Sequence, residues 1–229
     1  MIYYDIYYPE QLTGKELDDY LANGWYRMQQ MIFTTDVILK ENRLLPVFWL
    51  RLAVEKYSSC KKHQQLIALN NKYTVDCGDD VITSELEQLY QLYKAAMNFE
   101  LADSLQDSLL GAATTSIYHT QCYTIRDEGK LIAAGFFDKG EKSIAGILNI
   151  YHPEYARQQL GKYLVLLKIA YAQQQQLDYY YTGYISTADS KFDYKLFAGK
   201  EATEVYNRQQ QQWLPWLSVQ KERLEDWLI

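Results

Sequence analysis

The chain has 229 residues, 48% of them hydrophobic and 23% charged, which excludes wholesale disorder, collagen-like repeats and a coiled coil. Its 23 basic and 29 acidic residues give a formal charge of −6, which opposes non-specific wrapping of nucleic acid but leaves room for a local basic patch. The longest unbroken apolar run, Tyr163 to Leu167, is far below the roughly 20 residues a bilayer crossing needs. Met1 to Asp5 shows none of the features of a secretory signal, so a cytoplasmic protein without membrane attachment is expected. Three widely spaced cysteines, Cys60, Cys77 and Cys122, argue against a disulfide framework or a paired-cysteine metal site. His63, His119 and His152 lack metal-ligand spacing as well, and no metal centre is expected.

In chain order, Thr13 is placed to cap a helix to about Asn23, with Leu17, Tyr20 and Leu21 on one face and Gly24 ending it. Trp25 to Phe33 alternates as a strand, and Pro46 to Val54 is the continuous apolar run of a buried one. Ser58 opens a polar helix to about Asn70. Lys72 to Asp76 is a short strand, Cys77-Gly78-Asp79-Asp80 a turn, and Thr83 or Ser84 caps the next helix, where Ser84-Glu85-Leu86-Glu87 fits a capping box. Charge is uneven here. Lys40, Arg43, Arg51, Lys56, Lys61, Lys62 and Lys72 face only two carboxylates over residues 40 to 72, whereas residues 76 to 107 are strongly acidic.

The second half changes character. Strands Tyr118–Ile125, Leu131–Asp138 and Ser143–Tyr151, joined by turns at Asp127-Glu128-Gly129 and Lys139-Gly140, predict an antiparallel meander. A helix over Leu160 to Gln175, a strand over Asp178 to Tyr184 and a last amphipathic helix over Ser218 to Leu228 follow. No linker rich in Gly, Ser or Pro separates the halves. The expected organisation is α/β (α+β): an N-terminal α+β part, residues 1–112, and a C-terminal domain, residues 113–229.

No GxSxG elbow or phosphate-binding GxxxxGK[ST] loop is present, which removes serine-hydrolase and P-loop chemistry. Arg157-Gln158-Gln159-Leu160-Gly161-Lys162 stands between a strand and a helix. There the backbone N–H groups of a helix start can hold phosphate, and Gly161 permits close approach. Meander, anion loop, helix and strand reproduce the core order of GNAT-type acyltransferases, although Tyr163 occupies the place of that loop's second small residue.

The strand after this helix reads Tyr179-Tyr180-Tyr181-Thr182-Gly183-Tyr184-Ile185, and Lys191-Phe192-Asp193-Tyr194-Lys195 follows it. Together they resemble the C-terminal signature of the arginyl- and leucyl-tRNA–protein transferases. Leu160-Gly161-Lys162-Tyr163, Leu21-Ala22-Asn23-Gly24-Trp25-Tyr26-Arg27 and Trp49-Leu50-Arg51-Leu52 are similar to further family segments, so the likeness spans most of residues 16 to 200. It does not extend to the N-terminal cysteine cluster that family members carry, so no metal role is carried over. The family's basic run is reduced here to Cys60-Lys61-Lys62-His63-Gln64-Gln65, and each cation missing from it weakens the salt-dependent part of tRNA affinity.

The resemblance implies an aminoacyltransferase of GNAT-like fold that moves an amino acid, arginine favoured and leucine the other donor, from aminoacyl-tRNA to proteins beginning with Asp or Glu, marking them for degradation. It implies no cofactor beyond the tRNA co-substrate, and neither DNA nor membrane as partner. Tyr184 and Tyr194 are the expected catalytic residues. Lys191, Lys195, Gln159, Gly161 and Lys162 are expected to bind substrate, and Arg27, Arg51, Lys61, Lys62 and Arg157 to contact tRNA. The alternatives are a coenzyme A-dependent acyltransferase and a catalytically silent adaptor for acidic N-termini.

Overall fold

The computed structural model describes residues 2–40, 42–79 and 82–228. Strand β1 (Tyr4–Tyr7) precedes helix α1 (Gly14–Ala22), where the Glu16 N–H donates to Thr13 Oγ1 at 3.2 Å and the Thr13 N–H donates to Glu16 Oε2 at 2.8 Å. This reciprocal cap satisfies two N–H groups that the first turn leaves open. Gly24 then turns the chain at φ +74°, and a Cβ there would stand 2.5 Å from the Tyr206 ring. The segment expected as one strand is a hairpin, β2 (Tyr26–Met28) and β3 (Met31–Thr35), because Gln29 adopts φ +54° and reverses the chain. Both join β1 in a small sheet ordered β1-β3-β2.

The large sheet runs β12 (Gln212–Pro215), β11 (Thr203–Asn207), β5 (Arg43–Ala53), β10 (Tyr179–Ser186), β9 (Ser143–Tyr151), β8 (Lys130–Lys139), β7 (Thr120–Asp127), β6 (Thr74–Asp79), with β4 (Val37–Lys40) hydrogen-bonded to β5. Helix α2 (Lys61–Asn70) leads to β6 (Thr74–Asp79), so Cys77, Gly78 and Asp79 pair with β7 instead of forming the expected turn. Asp80 lies outside the described residues. Helices α3 (Ser84–Ala96) and α4 (Leu105–Leu110) follow. Thr83, not Ser84, caps α3, and Glu87 takes the Leu105 N–H at 2.9 Å, tying the two helices together.

The expected meander is present as β7 (Thr120–Asp127), β8 (Lys130–Lys139) and β9 (Ser143–Tyr151). Glu128 and Gly129, at φ +48° and +90°, form its first turn, where two left-handed residues match strand twist. Helix α5 (Leu160–Gln174) crosses back to β10 (Tyr179–Ser186), which pairs parallel to β9. Three antiparallel strands, a crossover helix and a parallel strand make the GNAT-like α/β order. Short 3-10 turns over Ser190–Ala198 lead to β11 (Thr203–Asn207) and β12 (Gln212–Pro215).

Strands from both sides of residue 112 share this sheet: β5 lies between β10 and β11, and β6 extends β7. Continuous apolarity in β5 follows, since Val47 to Leu50 and Leu52 to Ala53 are buried between neighbours on both edges and layers on both faces. Leu164 and Ile169 of α5 pack with Phe137, Ile144 and Tyr180 on one face of the sheet. Each such buried side chain contributes about 1.5–3 kcal/mol. Leu86, Leu89 and Tyr90 of α3 cover Phe136 and Ile150 on the other. The tail expected as an α-helix winds as 3-10 turns over Lys221–Leu228, with Leu224 buried and Trp227 edge-on to Phe48 at 6.0 Å.

Candidate active site

Parallel pairing of β9 with β10 lasts three residues, Ser143 to Ala145 opposite Tyr179 to Tyr181. Beyond it β10 stays on β5 while β9 stays on β8, so the two strands part into a wedge. Each strand is irregular at the fork. In β9, Gly146 pairs with Phe137 and Leu148 with Phe136, leaving Ile147 as a bulge, and β10 shifts register between Tyr181 and Gly183. The buried Tyr26 hydroxyl fills the gap, donating to the Gly146 carbonyl at 2.5 Å and lying 3.1 Å from that of Tyr181. Gly146 is required here, because a Cβ would come 2.7 Å from the Tyr180 hydroxyl. Past this point the edge of β9 that faces β10 has no ladder partner among the described residues. Its N–H groups are therefore open to an incoming carbonyl oxygen.

The signature residues collect on the β10 side. Tyr184 packs edge-on to Trp49 at 5.4 Å and against Phe192 at 5.2 Å. Lys195 donates to the Tyr184 carbonyl at 2.7 Å and lies 4.6 Å from the Tyr184 ring centre. Gly183, at φ +92°, makes room for it, since a Cβ would stand 2.9 Å from the Lys195 ammonium. Desolvation among these rings pushes Lys195 down to about 7. Tyr194 is half exposed; burial is the main cause that raises the pKa of Tyr26, Tyr93 and Tyr180, and Tyr194 adds to it in each. Burial, with Tyr184 second, holds Tyr194 itself above the ordinary phenol range. Lys191 is exposed and stands 3.2 Å from the Phe99 ring centre, its pKa lowered by desolvation and by Lys40.

Across the wedge, Gln159 adopts a left-handed conformation and no side chain caps α5. Lys162 and Tyr163 donate their N–H groups to the Gln159 carbonyl, so those of Leu160 and Gly161 present the positive end of this 15-residue helix. A Cβ on Gly161 would sit in ordinary contact with the Tyr151 ring, at 3.6 Å, so this turn has room for a side chain. Lys162 donates to Gln159 Oε1 and lies 5.2 Å from the Phe197 ring centre. Arg157 is exposed beside it, and Lys61 and Lys62 are exposed at the start of α2, which packs on α5. His63 of α2 joins Tyr57 to the Phe197 carbonyl and fixes α2 against the 190s segment.

Two expected tRNA contacts are not on this surface. Arg27 is buried: its guanidinium donates to Asp138 at 2.6 Å, Thr120 at 2.7 Å and the Leu109 carbonyl at 2.6 Å, and stacks on Tyr118. Arg51 pairs with Glu204 at 2.8 Å between the Tyr179 and Trp213 rings, at the opposite end of β10 from the wedge mouth. Each holds a carboxylate and aromatic partners within the fold, Arg27 buried and Arg51 partly so. The sequence gives Tyr26 only as part of the Gly24-Trp25-Tyr26-Arg27 segment, and no sign of the Lys168–Asn149 pair, in which the buried Lys168 donates to Asn149 Oδ1 and the Phe136 carbonyl at 2.8 Å. Among the described residues no cluster of His, Cys, Asp or Glu is placed to hold a metal ion, and no helix is long and apolar enough to cross a membrane.

The chain is similar to known proteins over the segments that build this site. A family model described as arginine-tRNA-protein transferase, C terminus, matches residues 85–202. An aspartate/glutamate leucyltransferase from Leptospira interrogans is 22% identical over 83% of this chain and 74% of its own length. One from Alkalilimnicola ehrlichii is 27% identical over 69% of this chain and 66% of its own. The arginyl-tRNA–protein transferase 1 of Saccharomyces cerevisiae is 36% identical over 37% of this chain and 16% of its own length. Among solved structures, FemX overlaps with TM-score 0.45 and 8% identity, covering 82% of this chain and 65% of FemX. A GCN5-related N-acetyltransferase from Kribbella flavida overlaps with TM-score 0.32 and 13% identity, covering 61% of this chain and 47% of its own. The segment matched by the family model carries β7 to β10, the α5 turn and the Tyr184–Lys195 signature, and the chain belongs to the arginine-tRNA-protein transferase family of aminoacyltransferases.

Proposed function

We propose that this protein transfers an amino acid from aminoacyl-tRNA to the N-terminal amine of proteins beginning with Asp or Glu, in the cytoplasm and without a further cofactor. The observation that carries the reading is the wedge: unpaired β9 N–H groups on one side, Tyr184, Tyr194 and Lys195 on the other. An aminoacyl ester is already activated, so the protein needs to align the amine, stabilise the oxyanion and move one proton. In this reading the ester carbonyl oxygen lies on the β9 edge, and the acceptor nitrogen attacks from the β10 side. The new C–N bond forms, the ester C–O bond breaks, and the proton leaving nitrogen returns to the ribose hydroxyl.

Lys195 is assigned the proton rather than substrate binding, because a lysine pushed down to about 7 beside the Tyr184 carbonyl is neutral often enough to act as a base. Tyr184 and Tyr194 orient the amine and relay that proton. Lys191 meets the acidic side chain of the acceptor. The open first turn of α5, with Gln159, Gly161, Lys162 and Arg157, holds the 3′-terminal phosphate, and Lys61 and Lys62 follow the acceptor stem. The N-terminal part, 1–112, thereby supplies the acceptor-stem contacts, and the C-terminal part, 113–229, the 3′-phosphate site and the chemistry.

The test is transfer of a labelled amino acid from separately charged arginyl- and leucyl-tRNA on to peptides beginning with Asp, Glu or Ala. Label on the acidic peptides alone is expected, and the tRNA that supplies it names the donor. Absence of label from both tRNAs, with the protein folded, refutes the proposal.

A further inference from the structure

Lys168 looks in the sequence like a polar break in an apolar helix, yet it is only 1% exposed. Its ammonium donates to two acceptors, both at the fork: the carbonyl of Phe136, the β8 residue facing the β9 bulge, and Oδ1 of Asn149, just beyond that bulge. Asn149 in turn donates from Nδ2 to the Gly161 carbonyl at 3.3 Å, in the first turn of α5. The space for this chain of bonds comes from Gly135, the cross-strand partner of Asn149. A Cβ there would stand 2.9 Å from Asn149 Oδ1 and 2.8 Å from Leu164 Cδ2. A methionine would fill the place of Lys168 without desolvating an amine, so what lysine adds is its two bonds.

We infer that Lys168, acting through Asn149, is a positioning residue for transfer: it holds the bulged segment Gly146–Asn149 at a fixed spacing from the first turn of α5. The inference rests on the wedge being the transfer site, since the segment supplies the N–H groups for the ester oxygen and the turn receives the 3′ phosphate. Tyr26 grips the same segment at Gly146 from the opposite direction, so the bulge is fastened at both ends while its outer edge stays open. A shift of about 1 Å between two such groups lowers rate by about 100-fold. Burial pushes Lys168 down to about 7, with Cys122, Asp138 and Cys77 the nearby groups that oppose this. Charged or neutral, the amine has protons for both acceptors.

The experiment compares wild type, Lys168→Met, Asn149→Ala and the double variant in the full chain, by steady-state transfer kinetics and by amide hydrogen exchange. Lys168→Met is expected to lower kcat about 10- to 100-fold with KM for aminoacyl-tRNA and peptide within about two-fold. Exchange at Ile147 to Asn149 is expected to quicken about ten-fold, with the rest of the sheet unchanged. The double variant is expected to be no slower than the worse single one, because both break the same link. Wild-type kcat in Lys168→Met, or multiplicative losses in the double variant, overturns the inference. Should Lys168→Met not fold, Asn149→Ala reads the link alone, since it leaves Lys168 bonded to Phe136. If wild type transfers nothing, the functional reading fails, and the exchange arm still decides whether Lys168 holds the segment.

Discussion

Replacing Arg27 by alanine tests its place as an internal strut instead of a tRNA contact. Its side chain is 1% exposed and that of Asp138 is 0% exposed, so the substitution leaves a carboxylate in the core with the Thr120 hydroxyl as its one remaining donor among the described residues. It also strips the Leu109 and Gln29 carbonyls of a partner. Breaking a buried pair by removing one member costs about 3–5 kcal/mol, which for a domain of this size lowers the midpoint by roughly 6–20 °C. The pH dependence has a definite sign. Burial already holds the Asp138 carboxyl above its ordinary value, against the pull of Arg27, and loss of the guanidinium raises it further. A carboxyl with a raised folded pKa binds more protons folded than unfolded, so its stability contribution is full below about pH 4 and is lost as pH rises through the folded pKa. The deficit of Arg27→Ala against wild type should therefore narrow in acid. Urea denaturation at several pH values measures this, with Arg27→Met/Asp138→Leu expected to recover most of the loss because no charge is left stranded. A variant of unchanged stability that binds aminoacyl-tRNA weakly would return Arg27 to the tRNA surface.

Gly24→Ala is expected to lose about 1–3 kcal/mol in thermal denaturation, because φ +74° and an approach of 2.5 Å to Tyr206 both oppose a side chain. Lys61→Ala/Lys62→Ala should leave stability within about 0.5 kcal/mol while raising KM for tRNA, and should reduce the salt slope of binding by about 0.7–0.9 for each phosphate no longer neutralised. Lys195→Met should lower transfer by about 100-fold or more. Wild-type kcat should rise with pH through about 7 as Lys195 becomes neutral, and the residual activity of the variant should lack that inflection.

Local chemistry explains which parts of the molecule are readable in advance. Glu128-Gly129 marks its own turn, Thr13 and Glu16 mark their own cap, and the period change after Tyr151 marks α5, so the GNAT-like order is legible. The turn at Gln29-Gln30 carries no Gly, Pro or Asn, and the β2–β3 hairpin accordingly reads as one strand. Cys77-Gly78-Asp79 has turn composition yet is drawn into the sheet by pairing with β7. Site residues divide in the same way. Tyr184 and Lys195 lie eleven residues apart in one motif and meet in space. The partner of Arg27 is Asp138, and Lys168 reaches Asn149 across a helix and a strand. Bonds of that range leave no local pattern, so a buried cation reads as a surface one.

The place of β5 between β10 and β11 has a consequence for how the chain comes into being. Its nine apolar-rich residues from Leu45 to Ala53 are synthesised early, yet β10 follows roughly 125 residues later, a delay of about 6–25 s at ordinary translation speed. During that interval only the hairpin pairing of Arg43 to Pro46 with β4 is available, and Val47 to Ala53 offer unpaired backbone groups to any neighbouring chain. Pairing of β5 with β10 must wait for the segment that also brings Tyr184 and Lys195, and β11 follows on the other edge, so the wedge is completed only late in folding.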